Sequence, residues 1–247
     1  MPVKNIAPSV IAICIQEPLE DGSTMDLGPI KGADLSRLHL GFVKDSVTHA
    51  LRVNESDTRL YYIDSAERRK FVGSVLEFLG GKDGRGKAIP KSFSHHGMKK
   101  QRWGLRIEKV FSECFAAGYK NVLVIGSRTP TISPKMIKRA LRMLKESDAV
   151  FGPTPEGRYY IIGMTGAPKI DLSAFNWKSP SIYSEVAAKF IEQGLAWSEL
   201  EIWYTVESPE ELELMARDIN QYRFEDDEVT ALETERTLEQ ILEKLGA

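Results

Sequence analysis

Six short apolar runs punctuate the chain, and segments of helical length and spacing separate most of them. The runs are Val10–Ile15, Leu60–Ile63, Val122–Ile125, Ala149–Phe151, Tyr159–Ile162 and Ile202–Val206. They are rich in β-branched and aromatic residues and too short for helices, which reads as strands buried on both faces. Three stripes at 3.6-residue spacing lie between them. Phe71, Val75, Leu76 and Leu79 are stopped by Gly80-Gly81; Ile107, Val110, Phe111, Cys114 and Phe115 are closed by Gly118; Ile137, Leu141 and Leu144 form the third. Strands alternating with helices predict an α/β fold in three layers, a mainly parallel central sheet with helices on both faces.

Helix starts are legible in the same way. Ser133-Pro134, Ser179-Pro180 and Ser208-Pro209 each set a capping hydroxyl before a proline at the first helical position. Ser208 with Glu211, and Asp64 with Glu67, have the spacing of a capping box. Residues 16–33 and 80–103 read as long irregular stretches, and in open α/β sheets such loops at strand ends hold ligands. Neither separates two segments that could fold alone, so residues 1–247 are expected to form a single domain. An amphipathic helical extension is expected from about residue 225, with Leu238, Ile241, Leu242 and Leu245 on one side, docked on the body or on a partner. Asp226-Asp227-Glu228 reads as its negatively charged start.

A chain of 247 residues with 33 basic and 35 acidic side chains carries a net charge of −2 and can bury an adequate core without staples. Cys14 and Cys114 sit in apolar runs and read as reduced core thiols. No apolar run approaches the roughly 18 residues of a membrane span, and the first residues lack the pattern of a secretory signal. A cytoplasmic protein without membrane attachment is expected. Charge is uneven: Lys82–Arg106 holds eight bases and one acid, and Glu199–Ala247 holds fifteen acids and four bases. The first suggests an anionic ligand, the second a solvated helical face. His95-His96 beside Lys99, Lys100 and Arg102 reads as a solvated loop, because adjacent histidines point apart and no second His or Cys pair stands at metal-ligand spacing. One aromatic-basic patch on a negatively charged chain argues against nucleic acid.

Two segments carry candidate chemistry. In Val122–Pro130 a buried strand runs into Gly126, Ser127, Arg128 and Thr129, where glycine permits a positive φ or close ligand approach. The segment suits either a binding loop or a plain strand end. In Pro153–Tyr160 a turn with Glu156, Gly157 and Arg158 feeds a strand whose Tyr159 and Tyr160 face opposite ways. That suits either a ligand-facing strand start or a turn with a core tyrosine. The phosphate-loop, dinucleotide and nucleophile-elbow spacings are missing from the sequence.

Four blocks in order, Gln101–Phe111 (QRWGLRIEKVF), Val122–Pro134 (VLVIGSRTPTISP), Phe151–Gly163 (FGPTPEGRYYIIG) and Trp177–Pro180 (WKSP), resemble the domain-of-unknown-function 2064 family. Its members are nucleotide-diphospho-sugar-transferase-like proteins of the GT-A (glycosyltransferase A) type. Val206–Leu212 resembles the family's last strand-to-helix turn, and the resemblance covers about residues 100–215. It implies a Rossmann-like GT-A fold, a nucleotide sugar as donor and a small-molecule acceptor, with donor and divalent metal (Mg²⁺ or Mn²⁺) at the strand ends.

Several positions depart from the family pattern. Its Gly-Ser/Thr-Asp-x-Pro loop has Arg128 in place of the acid expected at the metal or diphosphate site. Its Asp-Gly-Gly-Tyr-Tyr becomes Glu156-Gly157-Arg158-Tyr159-Tyr160, and its Asp-Val-Asp-Thr-Pro becomes Thr205-Val206-Glu207-Ser208-Pro209. Its basic N-terminal loop has no counterpart in Gln16–Gly32. Arginine cannot ligate metal but can pair with a diphosphate. By resemblance, Gly126, Ser127, Arg128, Gln101, Arg106 and Arg158 are expected around the nucleotide diphosphate. Tyr159, Trp177 and Ser179 are expected at the substrate, and Glu156 or Glu207 as the base, with no protein metal site. A catalytically silent ligand-binding or assembly module is the alternative, through a homo-oligomer or other partner at the C-terminal helix, and nucleotidyl transfer a more distant one.

Overall fold

The computed structural model describes residues 7–246 except 17–18, 21–22, 82–87, 167–169 and 178. Its centre is a seven-stranded sheet in the order β5-β4-β1-β6-β8-β7-β9. The strands are β1 (Ser9–Cys14), β4 (Ser56–Ile63), β5 (Phe93–Met98), β6 (Asn121–Gly126), β7 (Ala149–Pro153), β8 (Tyr159–Thr165) and β9 (Trp197–Glu199). A separate antiparallel pair, β2 (Leu19–Glu20) and β3 (Ser23–Thr24), follows β1. Within the main sheet β8 runs antiparallel to both its neighbours, and every other pairing is parallel. Cys14 is in register with Tyr61 and Gly126, so the parallel strands end together, and β8 begins at that same edge.

Period-2 alternation sorts the apolar runs between two cores. Ile11, Ile13, Leu123 and Ile125 face one side, where they meet Val43 and Val47 of α1 (Gly32–Leu51), Val72 and Val75 of α2 (Ala66–Leu79) and Ile137 of α4 (Pro134–Met143). Val10, Ala12, Val122 and Val124 face the other, against Ile107, Val110 and Phe111 of α3 (Trp103–Ala116) and Val186 and Phe190 of α5 (Ile182–Glu192). The sheet is therefore covered on both faces, as the alternation predicts.

A third cluster lies on the outer side of α1. Leu38 and Phe42 pack there with Met215 and Ile219 of α6 (Pro209–Phe224) and with Leu238 and Ile241 of α7 (Leu232–Leu245). The C-terminal amphipathic helix thus docks on the body. Asp45 of α1 accepts the Glu233 and Thr234 N–H groups at 3.1 and 2.8 Å, satisfying otherwise open donors at the start of α7. Among the described residues no helix is long and apolar enough to cross a membrane. Cys14 and Cys114 are both buried and joined in no disulfide.

Several local expectations change. Ile202–Val206 is no strand; it runs extended across the strand ends, its Tyr204 and Val206 buried in the third cluster, while the edge strand is β9. The stretch 80–103 contains β5, so His95-His96 lie on an edge strand rather than a loop; residues 82–87 lie outside the described residues. His96 stacks on Tyr61 with ring centroids 4.9 Å apart. Ser133 and Ser208 cap α4 and α6 as expected, Ser208 in a full capping box with Glu211. At α2 the cap is Ser65 instead of Asp64, which pairs with Arg69. Ser179-Pro180 precede α5 by a turn, with Ser181 as its cap. The acidic triplet forms the turn before α7, where the Asp227 carboxylate accepts from the backbone of Val229 and Thr230.

Candidate functional site

The site is built where β6 and β1 end and β8 begins. Beyond Gly126 the chain is buried from Ser127 to Thr131. The Ser127 hydroxyl accepts the Gln16 N–H at 3.0 Å and lies 2.9 Å from His39 Nε2, which ties the ends of β6 and β1 to α1. Burial, with the nearby Arg128 and Arg68 charges, pushes the His39 pKa down to about 3, so its ring is neutral. Arg128 accepts the Val206 N–H on its carbonyl at 2.8 Å and so fixes the extended 200–208 segment to this loop.

Glu207 is held between two guanidinium groups. Arg128 Nη1 donates to its Oε1 at 3.1 Å, and Arg158 Nη1 reaches its Oε2 at 2.9 Å. The three side chains are exposed to different degrees: Arg128 0%, Glu207 12% and Arg158 27%. Two cations around one anion leave a net charge of +1, and it reaches solvent through Arg158. Arg158 is aimed by the turn before β8. Gly157 there adopts φ +75°, and an added Cβ would overlap the Pro180 carbonyl oxygen, so only glycine fits.

The opposite wall is aromatic. Trp103 Nε1 donates to the Tyr159 hydroxyl at 2.9 Å, and the Tyr159 and Trp177 rings meet edge to face at 5.2 Å. Burial pushes the Tyr159 phenol up, so it stays protonated and available as a hydrogen-bond partner. Arg106 lies behind this wall, its guanidinium 5.0 Å from the Trp103 ring and its Nη2 donating to the Ile15 carbonyl at 2.8 Å. Between the walls lies a narrow cleft, open to solvent, with a cavity volume of about 40 Å3. Gln16, Gly126, Arg158 and Glu207 supply its polar lining, with Thr205 beside them.

The structure therefore brings together Gly126, Arg158, Tyr159, Trp177 and Glu207 of the residues expected from sequence. Ser127, Arg128 and Arg106 lie beneath the surface with almost no exposure. In this structure the Arg128 guanidinium is turned to Glu207 and the Arg106 guanidinium to the Ile15 carbonyl, both without solvent-facing surface. Gly126 is not in the positive-φ region; it is the last residue of β6, with Gln16 Oε1 over its open side. Glu156 is exposed at the apex of the 153–159 turn and Gln101 is exposed ahead of α3, both outside the cleft lining. Ser179 donates to Glu185 Oε1 at 3.1 Å and accepts the Ser181 N–H, also away from the cleft. Sequence reasoning missed Gln16, Trp103 and Thr205 as lining residues. Trp103 lies inside the QRWG block, and Gln16 directly follows the first apolar run, which is where a signal was available.

The donor set of the cleft does not suit a divalent cation. Its carboxylate, Glu207, has each oxygen engaged by an arginine. Among the described residues no group of three or more His, Cys, Asp or Glu side chains is placed to hold a metal. Hard cations need several oxygen ligands, and a guanidinium repels them.

Residues 53–179 match the family DUF2064, described as an uncharacterized protein conserved in bacteria. Among solved structures the chain is similar to a proposed nucleotide-diphospho-sugar transferase from Desulfovibrio desulfuricans, with 22% identity over 82% of this chain and 84% of that one and a TM-score of 0.68. It is also similar to the 4-diphosphocytidyl-2C-methyl-D-erythritol synthase of Anaerococcus prevotii, with 13% identity over 87% of this chain and 97% of that one and a TM-score of 0.52. Both likenesses are of fold. No curated protein matches the chain.

Proposed function

The chain belongs to the DUF2064 family, and we propose that it is a one-domain GT-A-type protein whose cleft binds a nucleotide-linked sugar and transfers the glycosyl group to a small hydroxylated acceptor. The observation that carries this reading is the sharing of Glu207 between Arg128 and Arg158. A diphosphate entering the cleft competes with Glu207 for Arg158, the more exposed guanidinium. Arg158 can turn to it without stripping the carboxylate of its partner, because Arg128 keeps Oε1. A guanidinium meets phosphate oxygens in a planar, bidentate, charge-assisted pair.

That exchange also supplies the remaining chemistry. When Arg158 turns away, Glu207 Oε2 becomes available to an acceptor hydroxyl. The acceptor oxygen bonds the anomeric carbon as its proton passes to Glu207. The bond from that carbon to the diphosphate breaks, and its electron pair leaves with the nucleoside diphosphate, whose new charge faces Arg158. Because the donor set does not suit a divalent ion, no step runs through one.

The test is release of nucleoside diphosphate from a panel of nucleotide sugars, in chelator, with an acceptor mixture. The reading expects turnover by the native protein that Arg158→Gln lowers at least tenfold. No turnover with any donor, although a nucleotide sugar binds, would leave the catalytically silent binding module. The exposed position of Glu156, outside the cleft lining, favours that second reading.

A further inference from the structure

The indoles of Trp103 and Trp177 line more than the cleft. Both also border a second, more open hollow with a cavity volume of about 270 Å3. One wall of the hollow is the start of α3, with Arg102, Trp103 and Gly104; the other is the segment before α5, with Phe175, Asn176 and Trp177.

Local bonds hold this hollow open without a ligand. The Ser173 N–H donates to Glu108 Oε2 at 3.1 Å and to Asp171 Oδ1 at 2.9 Å, which fastens the 3-10 turn Leu172–Ala174 to α3. Trp177 Nε1 donates to the Leu172 carbonyl at 2.8 Å and lies directly over Gly104. Phe175 meets the Trp177 ring edge to face at 6.2 Å. The rings are positioned in advance, so a ligand here pays little ordering entropy.

The chemistry of the lining is specific in combination. Aromatic rings offer flat apolar surface that suits the C–H faces of a pyranose. Arg102 is exposed at the mouth, and the first turn of α3 has neither an acidic residue nor a side-chain cap. The guanidinium and the helix end are the groups at the mouth that attract an anion, while the Glu108 and Asp171 carboxylates are both engaged by the Ser173 N–H in the lining.

We infer that the hollow bordered by Arg102, Phe175, Asn176 and Trp177 is a second binding site, for a monosaccharide bearing an anionic group, phosphate or carboxylate. Its use as the acceptor site rests on the transferase reading above. The shared indole wall would then put the acceptor beside the sugar end of the donor.

Calorimetric titration separates these claims. The probes are hexose 6-phosphates, hexuronates, the parent neutral hexoses and a set of nucleoside diphosphates, each against the native protein, Arg102→Ala, Phe175→Ala and Arg158→Gln. The expected result is that an anionic hexose binds the native protein at least tenfold more tightly than its neutral parent. Arg102→Ala should erase that preference and Phe175→Ala should weaken both sugars, while nucleoside diphosphate affinity stays within twofold in both variants. Phosphate and carboxylate probes tell which anion is preferred. The inference is overturned if no anionic hexose binds, or if Arg102→Ala leaves its affinity unchanged. It is equally overturned if Arg102→Ala weakens nucleoside diphosphates in parallel, because a nucleobase would then occupy the hollow. If nucleoside diphosphates fail to bind while an anionic hexose binds through Arg102, the second site stands and the transferase reading falls.

Discussion

Arg128 and Glu207 are 79 positions apart in the chain and 3.1 Å apart in space, and the guanidinium of the pair has no exposure to solvent. A charge so deeply buried is tolerable only with a charged partner, and that partner also holds Arg158 at the cleft. The buried guanidinium and the cleft arginine therefore meet at one carboxylate.

Glu207→Gln should destabilise the fold by about 3 kcal/mol, because it removes the counter-charge of a buried guanidinium. Arg158→Gln should cost less than about 1 kcal/mol, since that arginine is partly solvated and Arg128 retains Glu207. Urea unfolding of both variants checks the order. Equal costs would mean that the buried pair does not anchor the strand-end loop.

Gly104→Ala should displace Trp177. The new Cβ would overlap the indole nitrogen and come within 2.8 Å of the Leu172 carbonyl oxygen, at the place where Trp177 donates its hydrogen bond. Overpacking of this kind costs about 1–3 kcal/mol. Tryptophan emission should shift to the red as the indole moves into solvent, and an unshifted spectrum would mean that the wall is soft.

Stability should fall as pH drops from about 6.5 toward 4. His39 and His49 are buried and neutral, with pKa values pushed down to about 3 and about 4 by burial first. The unfolded chain takes up those protons near pH 6.5 while the folded chain refuses them, so acid favours unfolding, by up to about 1.4 kcal/mol per pH unit for each histidine. Asp45 acts in the opposite sense. Its pKa is raised to about 6, chiefly by burial, so between about pH 4 and 6 the folded state holds a proton that the unfolded state releases. Two histidines outweigh one aspartate, leaving a net loss with acid. His49→Gln should flatten the slope and Asp45→Asn should steepen it, as read from unfolding midpoints across the range.

The parts of the fold that local chemistry determines were legible in the sequence. The β-branched runs of β1 and β6 and the Ser-Pro starts of α4 and α6 announce themselves within a few residues. Helix α1 is buried on two sides, Val43 and Val47 in one core and Leu38 and Phe42 in another, with His39, Asp45, Ser46 and His49 buried among them, so it shows no single apolar stripe with a polar back. The run Ile202–Val206 has the composition of a strand, yet its backbone bonds go to the last residue of β7, Pro153, and to Arg128 in the loop after β6, and so build no ladder. In the site, sequence revealed a cation where the family places an acid. That its partner is Glu207, and that Arg158 rather than Arg128 faces the cleft, depends on contacts between distant segments, which no local pattern encodes.

The central claim is that Arg158 receives the diphosphate of a nucleotide-linked sugar while Arg128 keeps Glu207. Titration of the native protein and Arg158→Gln with a panel of nucleotide sugars, in chelator, tests it most directly. The account predicts that at least one nucleotide sugar binds without added metal and that Arg158→Gln weakens it about tenfold or more, the loss of a charge-assisted pair. No binding by the native protein, binding that needs Mg²⁺ or Mn²⁺, or equal affinity in the variant would contradict it.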